Sequence, residues 1–262
     1  IDFVLAVGRF LPGIEDDEAE KRRDILKTYA GVPPKKRFPV PVYFIDRSSV
    51  VFIQDAEPGT KLDGVGGHVI WLGASGIATI QGLRVAFLSG SYDEDVYDTL
   101  WGSCAFNGRH YTMQAVEDLE RQAHDGIRIG DGEGVDILLT SEWPDVFWST
   151  AYKKEAPTPV DRRHVSPAVA KLFFALKPRY HCYAGAGKYR YRKAAQGHHN
   201  FVCSSVALAK AAENAQAATK SSAAEQDESR WFHLLTLRPA PGGAATAKGH
   251  SGGAARPHKV SL

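Results

Sequence analysis

Two overlapping stretches of this chain carry residue types and spacings that could do chemistry. Ala184-Gly185-Ala186-Gly187-Lys188 has the outline of a phosphate-binding turn. Lys188-Tyr189-Arg190-Tyr191-Arg192-Lys193 alternates cations with aromatic rings. A phosphate loop needs a glycine five places before Gly187, where Cys182 stands, and Ser or Thr after the lysine, where Tyr189 stands. Without that hydroxyl there is no magnesium ligand, so the stretch reads as a glycine-rich turn. The basic run is different in kind. In a strand, Tyr189 and Tyr191 share one face while Lys188, Arg190 and Arg192 share the other. That pattern fits an edge strand with one packed and one solvated face. The other reading is a contact with phosphate or an acidic partner, with rings available for stacking.

Other candidates are weaker. Gly130-Asp131-Gly132-Glu133-Gly134 precedes a strand instead of joining strand to helix, so a phosphate would find no helix N-terminus there. It reads as a mobile loop, and Gly64-Val65-Gly66-Gly67 fails for the same reason. His198 and His199, with His181 nearby, lack a carboxylate or cysteine at ligand spacing and read as structural or exposed. No nucleophile elbow occurs, since Ser75 and Ser89 each have glycine on one side only. Trp143-Pro144 and Trp148 read as packing and turn residues.

The elements that must position these residues alternate between short apolar runs and helical patterns, which predicts a layered α/β fold. Strands are expected over 1–7, 40–45, 50–53, 68–72, 77–80, 83–88, 135–140, 179–183, 201–208 and 231–237. Only Gln81-Gly82 separates the fifth from the sixth, a two-residue hairpin signal. Helices are expected over 16–30, 112–124 and 166–176. The last has Ser166 as N-cap and Pro167 at the first helical position. Leu5, Phe44, Val85, Leu138 and Leu235 are expected in the core. Residues 209–228 are rich in Ala, Gln, Ser and Lys and read as a flexible insertion. Residues 239–262 are rich in Gly, Ala and Pro and read as a linker toward further domains.

With 262 residues, 44% hydrophobic and 24% charged, the chain can bury a sizeable core. A net charge of +2 is too mild to mark a nucleic-acid binder, so any such contact must come from local clustering. Three cysteines without CxxC spacing, Cys104, Cys182 and Cys203, argue against a disulfide framework and a structural zinc site. No apolar run approaches the roughly 18–20 residues that span a bilayer. Residues 1–7 read as a strand entered with no lead-in, which predicts that the natural chain continues upstream.

Gly134-Val135-Asp136-Ile137-Leu138-Leu139-Thr140-Ser141-Glu142-Trp143-Pro144 and Lys177-Pro178-Arg179-Tyr180-His181-Cys182-Tyr183 are the most specific pieces of a wider pattern. With Phe3-Val4-Leu5-Ala6-Val7-Gly8-Arg9-Phe10, Pro39-Val40-Pro41-Val42-Tyr43-Phe44-Ile45 and the stretch from His68 to Gly90, the chain resembles the N-terminal metallophosphoesterase-like domain of the CwfJ family. These are splicing-associated proteins related to the RNA lariat debranching enzyme. The resemblance runs from Ile1 to about Arg238.

That resemblance implies a four-layer αββα sandwich of the calcineurin-like metallophosphoesterase type, its N-terminal strand and first motif missing. It implies a domain over 1–238, followed by a linker toward HIT-like CwfJ domains. Active members of the superfamily hold two metals about 3.5–4 Å apart on aspartates, an asparagine and histidines at strand ends. Aligned on them, Arg9 stands where the second aspartate belongs and Ser48 and Ser49 where an Asn-His pair belongs. Ser141 replaces a histidine, and Gly185 and Gly187 replace a final His-x-His. The implied protein is a pseudoenzyme, with no metal and no cofactor. It is a nuclear scaffold working with spliceosomal proteins or particles, and with the debranching enzyme, in splicing and lariat turnover. The segment Lys188, Tyr189, Arg190, Tyr191, Arg192 and Lys193 is the expected RNA or partner contact. The alternatives are a residual RNA phosphodiesterase and an RNA-binding module using the ancestral groove.

Overall fold

The computed structural model describes residues 1–10, 31, 33, 37–47, 57–63, 67–98, 109–127, 135–145, 164–184, 187, 189–196, 201–209, 230–238 and 258–261. Its strands form two mixed sheets. In the first, the order is β12 (Leu234–Leu237), β13 (His258–Ser261), β1 (Phe3–Ala6), β2 (Val42–Phe44) and β3 (Val69–Trp71). In the second, it is β10 (Arg190–Gln196), β11 (Phe201–Ala207), β9 (Tyr180–Tyr183), β6 (Ile137–Thr140), β5 (Leu83–Leu88) and β4 (Ser75–Ile80). Neighbouring strands from β13 to β3, and from β11 to β5, pair in parallel. β12, β10 and β4 close three of the edges antiparallel.

The sequence explains this arrangement. β6 reads Ile-Leu-Leu-Thr with every residue buried, the continuous apolar run expected of a parallel strand covered on both faces. Its alternate residues serve two cores. Ile137 and Leu139 join Phe3, Leu5, Ile45, Leu72, Val85, Phe87, Cys182 and Val206 between the sheets. Leu138 points the other way, joining Ala86 and Leu88 against α2 (Met113–Ile127) and α3 (Pro167–Leu176). The inward stripe of α2 is Val116, Leu119 and Ala123, and that of α3 is Val169, Leu172 and Leu176. Leu5, Phe44, Val85, Leu138 and Leu235 are all buried.

Local signals account for the ends. Ser166 caps α3, its Oγ accepting from the Val169 N–H at 3.1 Å. Lys177 ends that helix in the left-handed region, at φ 46. Gln81 and Gly82 both have positive φ, at 50 and 80, as a two-residue turn between β4 and β5 requires. A short helix not anticipated from the sequence, α1 (Glu94–Tyr97), is capped by Asp93. β7 (Trp143–Pro144) pairs β8 (Val165–Ser166) in parallel just beyond the main sheets.

One boundary needs correction. His258–Ser261 falls inside the stretch read as a linker, yet it forms β13 and lies between β12 and β1. An inner strand bonded on both sides belongs to the domain, so the domain does not end at 238. The expected helix over 16–30, the strand over 50–53 and all but the first residue of the expected insertion over 209–228 lie outside the described residues. The described layers are therefore helices, sheet and sheet. Val42, Phe44, Val69 and Trp71 are also buried, on the face of the first sheet turned away from the second. Phe10 stacks on Phe44 there, with ring centroids 4.3 Å apart.

Candidate functional site

Ligands of open α/β sheets gather beyond the carboxyl ends of parallel strands. Here the two sheets bring those ends to one edge. Gly90 N–H, leaving β5, donates to the Asp46 carbonyl beyond β2 at 2.8 Å. Ser89 Oγ donates to the Gly73 carbonyl beyond β3 at 2.6 Å. Gly8, beyond β1, has φ +89, and a Cβ there would lie 2.7 Å from the Ala184 Cβ beyond β9. Only glycine allows that apposition.

Glu142 is the centre of this edge. It lies two residues beyond β6, is 1% exposed, and gathers donors from three segments. Tyr92 N–H donates to Oε2 at 2.7 Å and Tyr111 O–H to the same oxygen at 2.8 Å. Arg47, beyond β2, approaches Oε1 at 3.5 Å and also bonds His164 Nδ1. Ser166 Oγ lies 2.7 Å from the Tyr111 hydroxyl. When Glu142 is ionised, the donors run in one direction, from Val169 N–H through Ser166 and Tyr111 to the carboxylate. The cap of α3 is thereby wired to the edge. Burial pushes the Glu142 carboxyl up to about 7, against the lowering pull of Tyr111, Tyr92 and Arg47. A carboxyl titrating near neutrality beside an arginine and a histidine has the makings of an acid–base pair. Enclosure on this scale, however, favours a latch that holds the loops over the strand ends.

His181 and Thr140 lie just behind it. Thr140 Oγ1 donates to the Glu142 carbonyl at 2.8 Å and so accepts from His181 Nε2 at 2.9 Å. Nδ1 is then the acceptor nitrogen, and it has no partner among the described residues. Burial between Phe173 and Tyr183 brings the imidazole down to about 3. His181 is a neutral core histidine.

Arg9 lies exposed beyond β1. Ser141 lies buried beyond β6, its Oγ without a partner among the described residues. Gly187 is exposed, at φ +69 with open space around it. Ser48, Ser49 and Gly185 are outside the described residues. A guanidinium, a hydroxyl and a glycine supply no anionic or imidazole donor, so they do not fit a two-metal centre.

In the basic run, β10 is the edge strand of its sheet. Tyr189 is buried and its hydroxyl lies 2.8 Å from His233 Nδ1. Tyr191 is 49% exposed. Both rings lie nearly parallel to the His233 ring, as two residues on one strand face should. Arg190 is half-buried and Lys193 exposed. Lys188 and the Arg192 side chain are outside what is described.

Sequence reading passed over Asp46, Arg47 and Glu142. Asp46 is fully buried, and its Oδ2 accepts from Phe10 N–H at 2.8 Å. The usable signal was an acid placed two residues beyond a buried strand, in Phe44-Ile45-Asp46 and Thr140-Ser141-Glu142.

No protein-family model matches the chain. Among curated proteins it is similar to CWF19-like protein 1 of Homo sapiens, 29% identical over 187 residues, which is 69% of this chain and 29% of that protein. It is also similar to Zinc finger CCCH domain-containing protein 64 of Arabidopsis thaliana, 29% identical over 203 residues, which is 73% of this chain and 30% of that protein. The CWF19-like relatives support a CWF19/CwfJ-related family. The CWF19-like protein 1 homolog of Caenorhabditis elegans matches more of the chain, 26% identical over 246 residues, or 91% of this chain and 38% of that protein. The chain thus spans about three-tenths of the length of the first relatives it matches.

Proposed function

We propose that this chain is a non-catalytic phosphoesterase-like scaffold, related to the lariat debranching enzyme and acting in the nucleus in pre-mRNA splicing and lariat turnover. Similarity to CWF19-like protein 1 supports the splicing connection. The parallel strands meeting at one edge agree with the calcineurin-like sandwich of that resemblance. The observation that carries the non-catalytic part is the chemistry at the strand ends. Arg9, Ser141 and Gly187 occupy them, and Glu142 is enclosed with an arginine as its partner.

A second reading, a residual phosphodiesterase, draws support from the convergence of Glu142 and His164 on Arg47. The two readings separate in one experiment. The full-length protein is affinity-purified from nuclei, and its bound proteins and RNA are identified. The scaffold reading expects spliceosomal proteins, and lariat RNA levels that do not change when Glu142→Gln replaces the wild type. Spliceosomal proteins absent from the purified material would overturn it, and lariat accumulation with Glu142→Gln would favour the enzyme.

A further inference from the structure

A distinctive surface among the described residues lies at the carboxyl end of β11, to the side of Glu142, where β10 meets the segment leading into β12. Tyr191 is 49% exposed and lies nearly parallel to His233, with centroids 5.1 Å apart and planes 17° off. In the same segment Trp231 is 54% exposed and Phe232 48%, their rings meeting edge to face at 5.4 Å. Single exposed apolar residues are ordinary on soluble proteins, but a group confined to two adjoining segments marks a binding surface.

Three anchors hold the group in place. Ala209 N–H donates to the Arg230 carbonyl at 3.0 Å, fixing this segment against the end of β11. The Arg230 guanidinium sits 4.7 Å above the Tyr189 ring, and Tyr189 O–H is hydrogen-bonded to His233. The register of β10 on β11 pairs Tyr191 with Val206, Lys193 with Ser204 and Ala195 with Val202. Exposed Tyr191, Lys193 and Val202 therefore share one face of the sheet.

Charge decides what this face receives. Lys193 lies on this face and Arg230 at its margin over Tyr189, and residues 188–196 and 230–234 contain no acidic residue. Flat rings interleaved with cations match a polyanion that carries its own flat rings. Only an unpaired strand offers base faces for stacking, because a duplex keeps them inside.

We propose that β10 and the Arg230–Leu234 segment form a stacking surface for single-stranded RNA. Bases lie on Tyr191 and Trp231 while the phosphates run past Lys193 and Arg230. The choice of RNA over DNA rests on the splicing reading; the stacking surface does not.

The test uses fluorescence anisotropy with the purified chain and a labelled RNA strand of about 15 nucleotides. The same sequence is presented as DNA and as duplex RNA. Binding of the RNA strand is expected to exceed that of both. Tyr191→Ala with Trp231→Ala should weaken it by about tenfold or more while thermal stability stays near wild type, because both rings are half exposed. Lys193→Gln should lower the slope of log affinity against log salt. Undetectable RNA binding, or binding indifferent to the aromatic pair, overturns the proposal, and so does capture of a protein partner through this surface without RNA. Equal affinity for the DNA strand overturns the assignment to RNA. Loss of spliceosomal association with RNA binding intact counts against the scaffold reading alone.

Discussion

Arg47 and Glu142 stand 95 residues apart in sequence, yet guanidinium and carboxylate meet at 3.5 Å where the ends of the two sheets come together. The arginine is 18% exposed and the glutamate 1%, so the pair sits at the inner wall of the edge. One strand end of each sheet is thereby fastened to the other. Tyr92, Tyr111 and Ser166 extend that fastening to the exit of β5, the approach to α2 and the cap of α3.

Removing the carboxylate should loosen this edge. Glu142→Ala leaves the Tyr111 hydroxyl, the Tyr92 N–H and Arg47 without their shared acceptor, at a cost of about 2–4 kcal/mol. Glu142→Gln keeps an acceptor in place and should cost less. Urea denaturation of both variants checks the order, and equal costs would mean that the acceptor role is unimportant.

Two buried groups make stability depend on pH in opposite senses. Glu142 keeps a proton in the folded state up to about 7, whereas an unfolded glutamate loses it near the usual 4.5. Its contribution is therefore present at low pH and lost as pH rises toward 7. His181, held down to about 3, stays neutral while an unfolded histidine takes up a proton below 6.5, so its contribution is lost as pH falls from 6.5 toward 3. Each slope is about 1.4 kcal/mol per pH unit, and they offset one another between 4.5 and 6.5. In Glu142→Gln only the histidine slope remains. Its stability deficit relative to wild type should widen as pH falls from 7 to 4.5, which urea midpoints across that range would reveal. A constant deficit would show that Glu142 titrates normally.

Glycine at position 8 is a packing requirement. Gly8→Ala places a methyl 2.7 Å from the Ala184 Cβ at a positive φ, and should cost roughly 2–4 kcal/mol. Gly187→Ala meets nothing within 4 Å and pays only the left-handed conformation, roughly 1 kcal/mol. Thermal melts of the two variants should differ accordingly. Equal shifts would mean that β1 and β9 do not end against each other.

Leu138 tests the layer order. It faces α2 and α3 from the far side of the inter-sheet core and is fully buried. Leu138→Ala should cost about 2–5 kcal/mol by denaturation. A change below about 0.5 kcal/mol would mean that the helices do not cover this face.

Strands such as β5 and β6 were legible because burial on both faces demands an unbroken apolar run. The β4–β5 hairpin was legible because Gln81-Gly82 leaves only a tight turn. β13 was not: His258-Lys259-Val260-Ser261 has one large apolar residue and follows a Gly-rich and Ala-rich stretch. Its strand character comes from its partners on either side. In the same way, Glu142 stands between a buried strand and Trp143-Pro144 with no motif of its own. Its importance depends on Arg47, Tyr92 and Tyr111, which spacing along the chain cannot bring together. The aromatic surface was half legible. β10 announced itself by alternation, but His233 and Trp231 joined it only through the fold.

The proposal that this strand-end edge does no two-metal chemistry is tested most directly by calorimetric titration of the purified chain with manganese chloride. With Arg9, Ser141 and Gly187 at the strand ends and Glu142 engaged by Arg47, no saturable binding is expected, in the wild type or in Asp46→Asn. Stoichiometric binding that Asp46→Asn and Glu142→Gln both weaken would contradict the account and restore a metal to the edge.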